Sequence, residues 1–142
     1  MENNVENEVA IPRVLLVDTN MLYSGIVYDG LEKRVLRSGK HIFITTESNI
    51  SEIYRALKRK RGISQDDAAK FLESIPLIVV GRFVFNDRMG EAYELIGSRD
   101  VSDVPLIALA LSFKNHDGIW TSDKDFDVVR HRFKIWKSRE LA

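Results

Sequence analysis

The sequence contains no cysteine, and that absence removes several kinds of site. None of the 142 residues is a thiol, which excludes disulfide bonds, thiolate zinc sites and cysteine nucleophiles. The three histidines, His41, His116 and His131, lack the spacing of metal ligands and are assigned no role. A metal site in this chain would therefore rely on oxygen ligands.

The sequence also lacks an excess of positive or negative charge, and it has no long apolar run. Lysine plus arginine and aspartate plus glutamate each total 21, giving a formal net charge of zero, so binding to a polyanion requires a local basic patch. The longest nearly uncharged apolar run, residues 104–113, is shorter than the roughly 20 residues that a membrane span needs. Residues 1–12 are polar and acidic and do not resemble a secretory signal. We therefore expect a cytoplasmic protein that does not bind membranes.

The length and hydrophobic content fit a single folded domain. Hydrophobic residues make up 44% of the chain, which is enough for one core, and there is no internal repeat, low-complexity segment or linker. We predict a polar tail over residues 1–12 followed by one domain over residues 13–142.

Short β-branched runs alternate with helical patterns along this domain. Strands are predicted at residues 13–18, 41–45, 77–80, 118–121 and 134–136. Apolar spacing of three and four predicts amphipathic helices over residues 50–57, 68–75 and 89–96, and residues 106–111 predict a fully buried helix. This order predicts an α/β sandwich around a mostly parallel sheet of about five strands, with sites at the carboxyl ends of the strands.

Two helix starts carry capping signals. Ser64 and Asp67 have the spacing of a capping box. Ser102 and Asp103 precede Pro105 and the buried helix, which predicts a cap followed by a first-turn proline.

Four carboxylates lie where such a sheet forms a site. Asp18 ends the first strand, Asp103 opens the buried helix, Asp123 follows the fourth strand, and Glu52 lies on the first amphipathic helix away from its apolar stripe. Each has an ordinary alternative. Asp18 would be a strand-end turn, Asp103 a helix cap and Asp123 a loop acid. Glu52 would be a surface acid paired with Arg55.

Convergence in one crevice would give these acids a shared chemical role. Two carboxylates about 4 Å apart repel by about 4 kcal/mol at an effective dielectric constant of about 20, so a cluster needs protonation or a cation. Oxygen ligands favour Mg²⁺ or Mn²⁺ over zinc or copper. One or two such ions can activate water and stabilise charge on a phosphoryl oxygen, which is the chemistry of phosphodiester hydrolysis.

Four short motifs, in order, resemble those of the PIN domain family, which includes VapC-like toxins. They are Val-Asp-Thr-Asn at residues 17–20, Ser-Glu-Ile at 51–53, Asp-Val-Pro-Leu-Ile-Ala-Leu-Ala at 103–110 and Thr-Ser-Asp-Lys-Asp-Phe at 121–126. The resemblance covers residues 13–136 and implies a three-layer α/β/α fold with Mg²⁺- or Mn²⁺-dependent endoribonuclease activity on single-stranded RNA. It further implies RNA, single-stranded or structured, as a partner, the toxin role in a toxin–antitoxin pair with an antitoxin protein, and a homodimer.

The same resemblance assigns roles residue by residue. The four acids Asp18, Glu52, Asp103 and Asp123 correspond to the metal-binding and catalytic positions. The supporting positions are Asn20, Thr121, Ser122 and Asp125. Ser122 departs from the family, which often has Asn there. Asp125 also has an ordinary interpretation as a turn or cap residue before Phe126.

Two basic clusters could contact RNA phosphates. They comprise Lys33, Arg34, Arg37 and Lys40, and then Arg55, Lys58, Arg59, Lys60 and Arg61. Such runs are usually solvated helix faces. Arg55 and Arg59, however, lie within about 60° of Glu52 around one helix, so we predict that these two flank the crevice and contact the RNA backbone. Tyr23 and Tyr28 either stack on bases or pack against the core.

Two other functions compete with the nuclease. One is a PIN-like fold kept as a non-catalytic module that binds RNA or protein, although such a module has no need of four repelling acids. The other is a phosphotransferase or phosphatase with Asp18 as nucleophile. Such enzymes commonly carry a second acid two residues later, where this chain has Asn20.

Overall fold

The fold is that of a computed structural model, which describes residues 11–142. The predicted tail over residues 1–12 therefore lies almost wholly outside the described residues, and the first strand begins at Arg13. The single-domain boundary at residue 13 stays a prediction.

Within the described part of the chain, five parallel strands form one sheet. They are β1 (Arg13–Val17), β2 (His41–Thr46), β3 (Leu77–Val80), β4 (Ile119–Trp120) and β5 (Ile135–Trp136), in the order β3-β2-β1-β4-β5. The chain moves outward from β1 through β2 to β3, then crosses back to β4 on the other side of β1. A crevice therefore opens at the carboxyl ends of β1 and β4.

Helices cover both faces of this sheet. They are α1 (Thr19–Val27), α2 (Leu31–Arg37), α3 (Glu47–Arg61), α4 (Gln65–Glu73), α5 (Met89–Ala92), α6 (Val104–Ser112) and α7 (Ser138–Leu141). A π-helical turn, Tyr93–Gly97, extends α5, and short 3₁₀ turns occupy Arg82–Val84, Asn86–Arg88, Val101–Asp103 and Lys124–Val129. None of the helices in the described residues has the length and apolar composition of a membrane span.

Alternating residues of β1 bury against two separate cores. Leu16 packs with α6 and α5 on one face, whereas Leu15 and Val17 pack with helices α1 to α4 on the other. Residues 106–111 of α6 are all buried, as predicted for a central helix. Two helical layers around a buried parallel sheet confirm the predicted α/β/α sandwich.

Helices α1 and α2 were not predicted from the sequence. Gly25 lowers the helical signal of α1, but it allows α1 to pack closely against α2, because a Cβ at this position would force the side chain of Leu36 to shift. The cap at Ser64 is confirmed, since its side chain accepts the backbone N–H of Asp67 at 3.1 Å.

Candidate active site

Asp18 is the residue that directly follows β1, and it also caps α1. Its Oδ1 accepts the backbone N–H of Met21 at 3.0 Å, and its Oδ2 accepts the hydroxyl of Thr121. Only 4% of Asp18 is exposed. Burial raises the pKa of Asp18 to about 6, with smaller contributions from the charges of Asp123 and Glu52.

Asp103 ends the 3₁₀ turn Val101–Asp103 and occupies the N-cap position of α6. Its Oδ2 is buried without a hydrogen-bond partner, and its side chain makes no capping bond to α6. The alternative in which the Asp103 side chain serves only to cap this helix is therefore wrong, whereas the predicted first-turn proline is confirmed. Burial raises the pKa of Asp103 to about 8, and the nearby charges of Asp100, Asp123 and Asp18 add to this. A buried carboxylate oxygen with no donor suits a cation.

Asp100, which was not predicted from the sequence, caps the 3₁₀ turn Val101–Asp103 that precedes α6. Its Oδ1 accepts the backbone N–H of Ser102 at 2.9 Å and the hydroxyl of the same residue at 2.7 Å. These bonds fix Asp100 beside Asp103. No periodic signal in the sequence marks Asp100, because its proximity to Asp103 depends on this turn.

Asp123 follows β4 and is tied to the same sheet edge. Its carboxylate accepts the backbone N–H of Asp125 at 2.9 Å, and its own N–H donates to the hydroxyl oxygen of Thr121 at 2.9 Å. Because Thr121 also donates to Asp18, one fully buried threonine holds two of the acids.

Glu52 faces the crevice from α3 and is half-buried. Its Oε1 accepts the hydroxyl of Thr19 at 2.6 Å. Among the described residues, Glu52 and Arg55 form no ion pair. The alternative in which Glu52 is a surface acid paired with Arg55 is therefore wrong. Glu52 is instead held by a residue adjacent to Asp18 in the sequence.

The structure brings all four predicted acids into one small cavity. It has a volume of about 120 Å³ and is lined by Asp18, Thr19, Asn20, Glu52, Asp100, Ser102, Asp103 and Asp123. One carboxylate oxygen from each of Asp100, Asp103, Asp123 and Asp125 lies within 4.8 Å of the other three, and Asp18 and Glu52 are not part of this group. Asp103, whose pKa is raised and whose Oδ2 is buried without a partner, belongs to this group. Crowded carboxylate oxygens of this kind form a donor set that suits a hard divalent cation.

A family model described as the PIN domain matches residues 16–142. This chain belongs to the PIN domain family. Among solved structures it is similar to VapC20 of Mycobacterium tuberculosis, a sarcin-ricin loop cleaving toxin, with a TM-score of 0.59 and 21% identity over 84% of this chain and 95% of that one. This likeness supports the fold. A comparison with curated proteins found no match.

The four residues predicted to support the acids of this PIN domain differ in how they contact them. Thr121 is buried and bonds to two acids, and Asp125 belongs to the group of four aspartates. Asn20 lines the cavity but is exposed, and Ser122 is exposed and does not line it. Thr121 and Asp125 thus touch the acidic groups, whereas Ser122 does not.

A larger basic groove continues from the acidic cavity of the PIN domain. It has a volume of about 410 Å³ and is lined by Thr19, Asn20, Tyr23, Glu52, Arg55, Ala56, Arg59 and Lys60. Thr19, Asn20 and Glu52 line both cavities. Arg55 and Arg59 therefore line a groove that Glu52 also lines, and their contact with RNA stays a prediction.

The two tyrosines near this groove differ. Tyr23 is half-buried and lines the groove, with the Lys60 ammonium 5.6 Å from its ring centroid. Tyr28 is exposed, and its hydroxyl accepts a 2.6 Å hydrogen bond from Arg61. Only Tyr23 is placed to contact a molecule in the groove.

Proposed function

We propose that this PIN domain is a divalent-metal-dependent endoribonuclease that hydrolyses phosphodiester bonds in single-stranded RNA. The observation that carries the proposal is the convergence of Asp18, Glu52, Asp103 and Asp123 in one cavity. These residues come from four separate segments of the chain, and their mutual repulsion would be relieved by a cation.

The four acids would hold one or two Mg²⁺ or Mn²⁺ ions. When bound, such an ion supplies activation of water and stabilisation of negative charge on the phosphoryl oxygen. Asp18 is held rigidly by Met21 and Thr121. Asp103 contributes an oxygen with no competing donor. Preorganised ligands of this kind lose little entropy on binding.

The basic groove would hold the RNA backbone. Arg55 and Arg59 line it within reach of Glu52, and guanidinium groups bind phosphates through paired hydrogen bonds. Contacts of this type position a strand without reading its bases. We therefore assign Arg55 and Arg59 to binding and the acids to cleavage.

The family and the similar fold support a proposal about the biological setting. VapC20 is a toxin, and we propose that this chain is the toxin of a toxin–antitoxin pair that acts in the cytoplasm as a homodimer. An antitoxin protein would be its partner.

A phosphotransferase with Asp18 as nucleophile is the weaker proposal. Such enzymes commonly carry a second acid two residues after the nucleophile, and here that position is Asn20, which lines the same cavity as Asp18.

Cleavage of a mixed single-stranded RNA pool tests the proposal. With Mn²⁺ the protein should release fragments ending in 5′-phosphate and 3′-hydroxyl, and a chelator should stop the reaction. The variant Asp103→Asn should fold and be inactive. Absence of Mn²⁺-dependent cleavage, or fragments with cyclic phosphate ends, would contradict the proposal.

A further inference from the structure

A buried hydrogen-bond chain begins at the start of α3. Thr46 caps this helix, accepting the backbone N–H of Asn49 at 3.1 Å and donating its own hydroxyl hydrogen to Asn49 Oδ1 at 2.6 Å. Thr46 is fully buried and Asn49 is 5% exposed. The bond from Thr46 fixes the orientation of the Asn49 amide, because only the oxygen of that amide can accept it.

The chain continues from Asn49 to Glu52 through Thr19. Asn49 Nδ2 donates to Thr19 Oγ1 at 2.9 Å, and Thr19 Oγ1 donates to Glu52 Oε1 at 2.6 Å. A threonine hydroxyl has one hydrogen. Since Asn49 supplies a donor to Thr19, the Thr19 hydrogen is directed to Glu52. Every donor in the chain therefore points toward the carboxylate.

This arrangement restricts a side chain that is otherwise flexible. Glutamate loses considerable rotamer entropy when it is fixed, and a hydrogen bond to a carboxylate is stronger than one between neutral groups. The chain also joins α1 to α3 at the border between the acidic cavity and the basic groove.

We propose that Thr19 and Asn49 are positioning residues that hold Glu52 in the orientation needed to bind the divalent cation. The inference rests on the proposed function and assigns roles to two residues outside the acidic motif positions. Partners that bond to metal ligands typically change metal affinity or activity by about 10- to 100-fold.

Isothermal titration with Mn²⁺ tests the role of Thr19. Thr19→Val keeps the side-chain shape but removes the hydroxyl, and should raise the Mn²⁺ dissociation constant by about tenfold or more. Thr19→Ser should restore affinity. Thr45→Val is the matched control, because the buried Thr45 hydroxyl donates to the backbone oxygen of Val17 at 3.0 Å and not to an acid. Wild-type affinity in Thr19→Val would overturn the proposal.

Asn49→Asp tests the direction of the chain. The introduced carboxylate keeps an oxygen that accepts from Thr46 but loses the amide donor to Thr19. The Thr19 hydroxyl can then donate to this introduced carboxylate instead of to Glu52. Mn²⁺ affinity should fall as in Thr19→Val, although Thr19 is intact. Unchanged affinity in Asn49→Asp would overturn the directional argument.

A metal-free measurement separates this inference from the proposed function. NMR couplings of the Glu52 side chain should show one rotamer in the wild type and averaging in Thr19→Val. A single unchanged rotamer in the variant would overturn the positioning role. If the wild type lacks Mn²⁺-dependent RNA cleavage, the proposed function fails, while the rotamer result still decides the role of Thr19.

Discussion

The hydroxyl of Thr121 donates a hydrogen bond to Oδ2 of Asp18, joining the ends of β4 and β1. The strand register explains this contact, because Val17 pairs with Trp120 and each is followed by one of the two residues. Thr121 also accepts the backbone N–H of Asp123 at 2.9 Å. One buried hydroxyl therefore aligns two acids that are far apart in the sequence.

Replacing Thr121 by valine should weaken both the fold and the site. The change removes a donor to Asp18 and leaves the N–H of Asp123 without its acceptor, so the free energy of unfolding should fall by about 1–3 kcal/mol. RNA cleavage should fall by about tenfold or more. Thr121→Ser should retain most of both properties. A valine variant as stable and active as the wild type, measured by urea unfolding and by cleavage rate, would contradict this account.

The metal-free protein should lose stability as the pH rises. The pKa of Asp18 is raised from 3.8 to about 6, and that of Asp103 from 3.8 to about 8. A carboxyl group whose pKa is raised on folding contributes full stability below its ordinary pKa and loses that contribution as pH rises through the folded value. Thermal melts in chelator should therefore show this loss between pH 3.8 and about 8.

Other groups also titrate in this range, so the slope is assigned by comparison with a variant. In Asp103→Asn the melting temperature should depend less on pH near the upper end of this pH range, because asparagine does not ionise. An identical slope in the wild type and in Asp103→Asn would show that Asp103 is not the source.

Asp103→Asn should separate stability from activity. At pH above about 8 the metal-free variant should melt at a higher temperature than the wild type, because a buried charge has been removed. Added Mn²⁺ should stabilise the wild type more than the variant, and RNA cleavage by the variant should be lost. Asp87→Asn is a suitable control, since Asp87 is exposed and does not line the acidic cavity. Equal Mn²⁺ stabilisation of wild type and Asp103→Asn would refute the assignment.

Arg59 should contribute to RNA binding rather than to chemistry. Arg59→Gln should raise KM severalfold with little change in kcat, and it should reduce the slope of log affinity against log salt by about 0.7, the value for one phosphate contact on a single strand. Lys58→Gln is the matched control, because Lys58 is an adjacent exposed base on α3 that does not line the basic groove. Equal effects of the two substitutions on KM would indicate a general charge effect.

The sheet was predictable because its strands carry strong local signals. Each predicted strand overlaps one of β1 to β5, and acids that follow parallel strands share one edge. Glu52 could be placed because helical geometry puts it off the apolar face. In contrast, α1 was missed because its glycine weakens the helical pattern, and only the packing of Leu36 against Gly25 explains that glycine.

The residues around the acids were less predictable than the acids themselves. Asp100 precedes a short 3₁₀ turn with no periodic signal, so its proximity to Asp103 is a property of the folded loop. Asn49 lies in the first turn of α3 and resembles an ordinary polar helix residue. Its contact with Thr19 joins two helices distant in sequence, and local spacing carries no information about such a contact.

Isothermal titration of Mn²⁺ into the wild type and into Asp103→Asn tests the central claim most directly, namely that acids from separate segments form one divalent-cation site. The account predicts saturable binding by the wild type and affinity reduced by about tenfold or more in the variant. No binding by the wild type at millimolar Mn²⁺, or equal binding by both proteins, would contradict it.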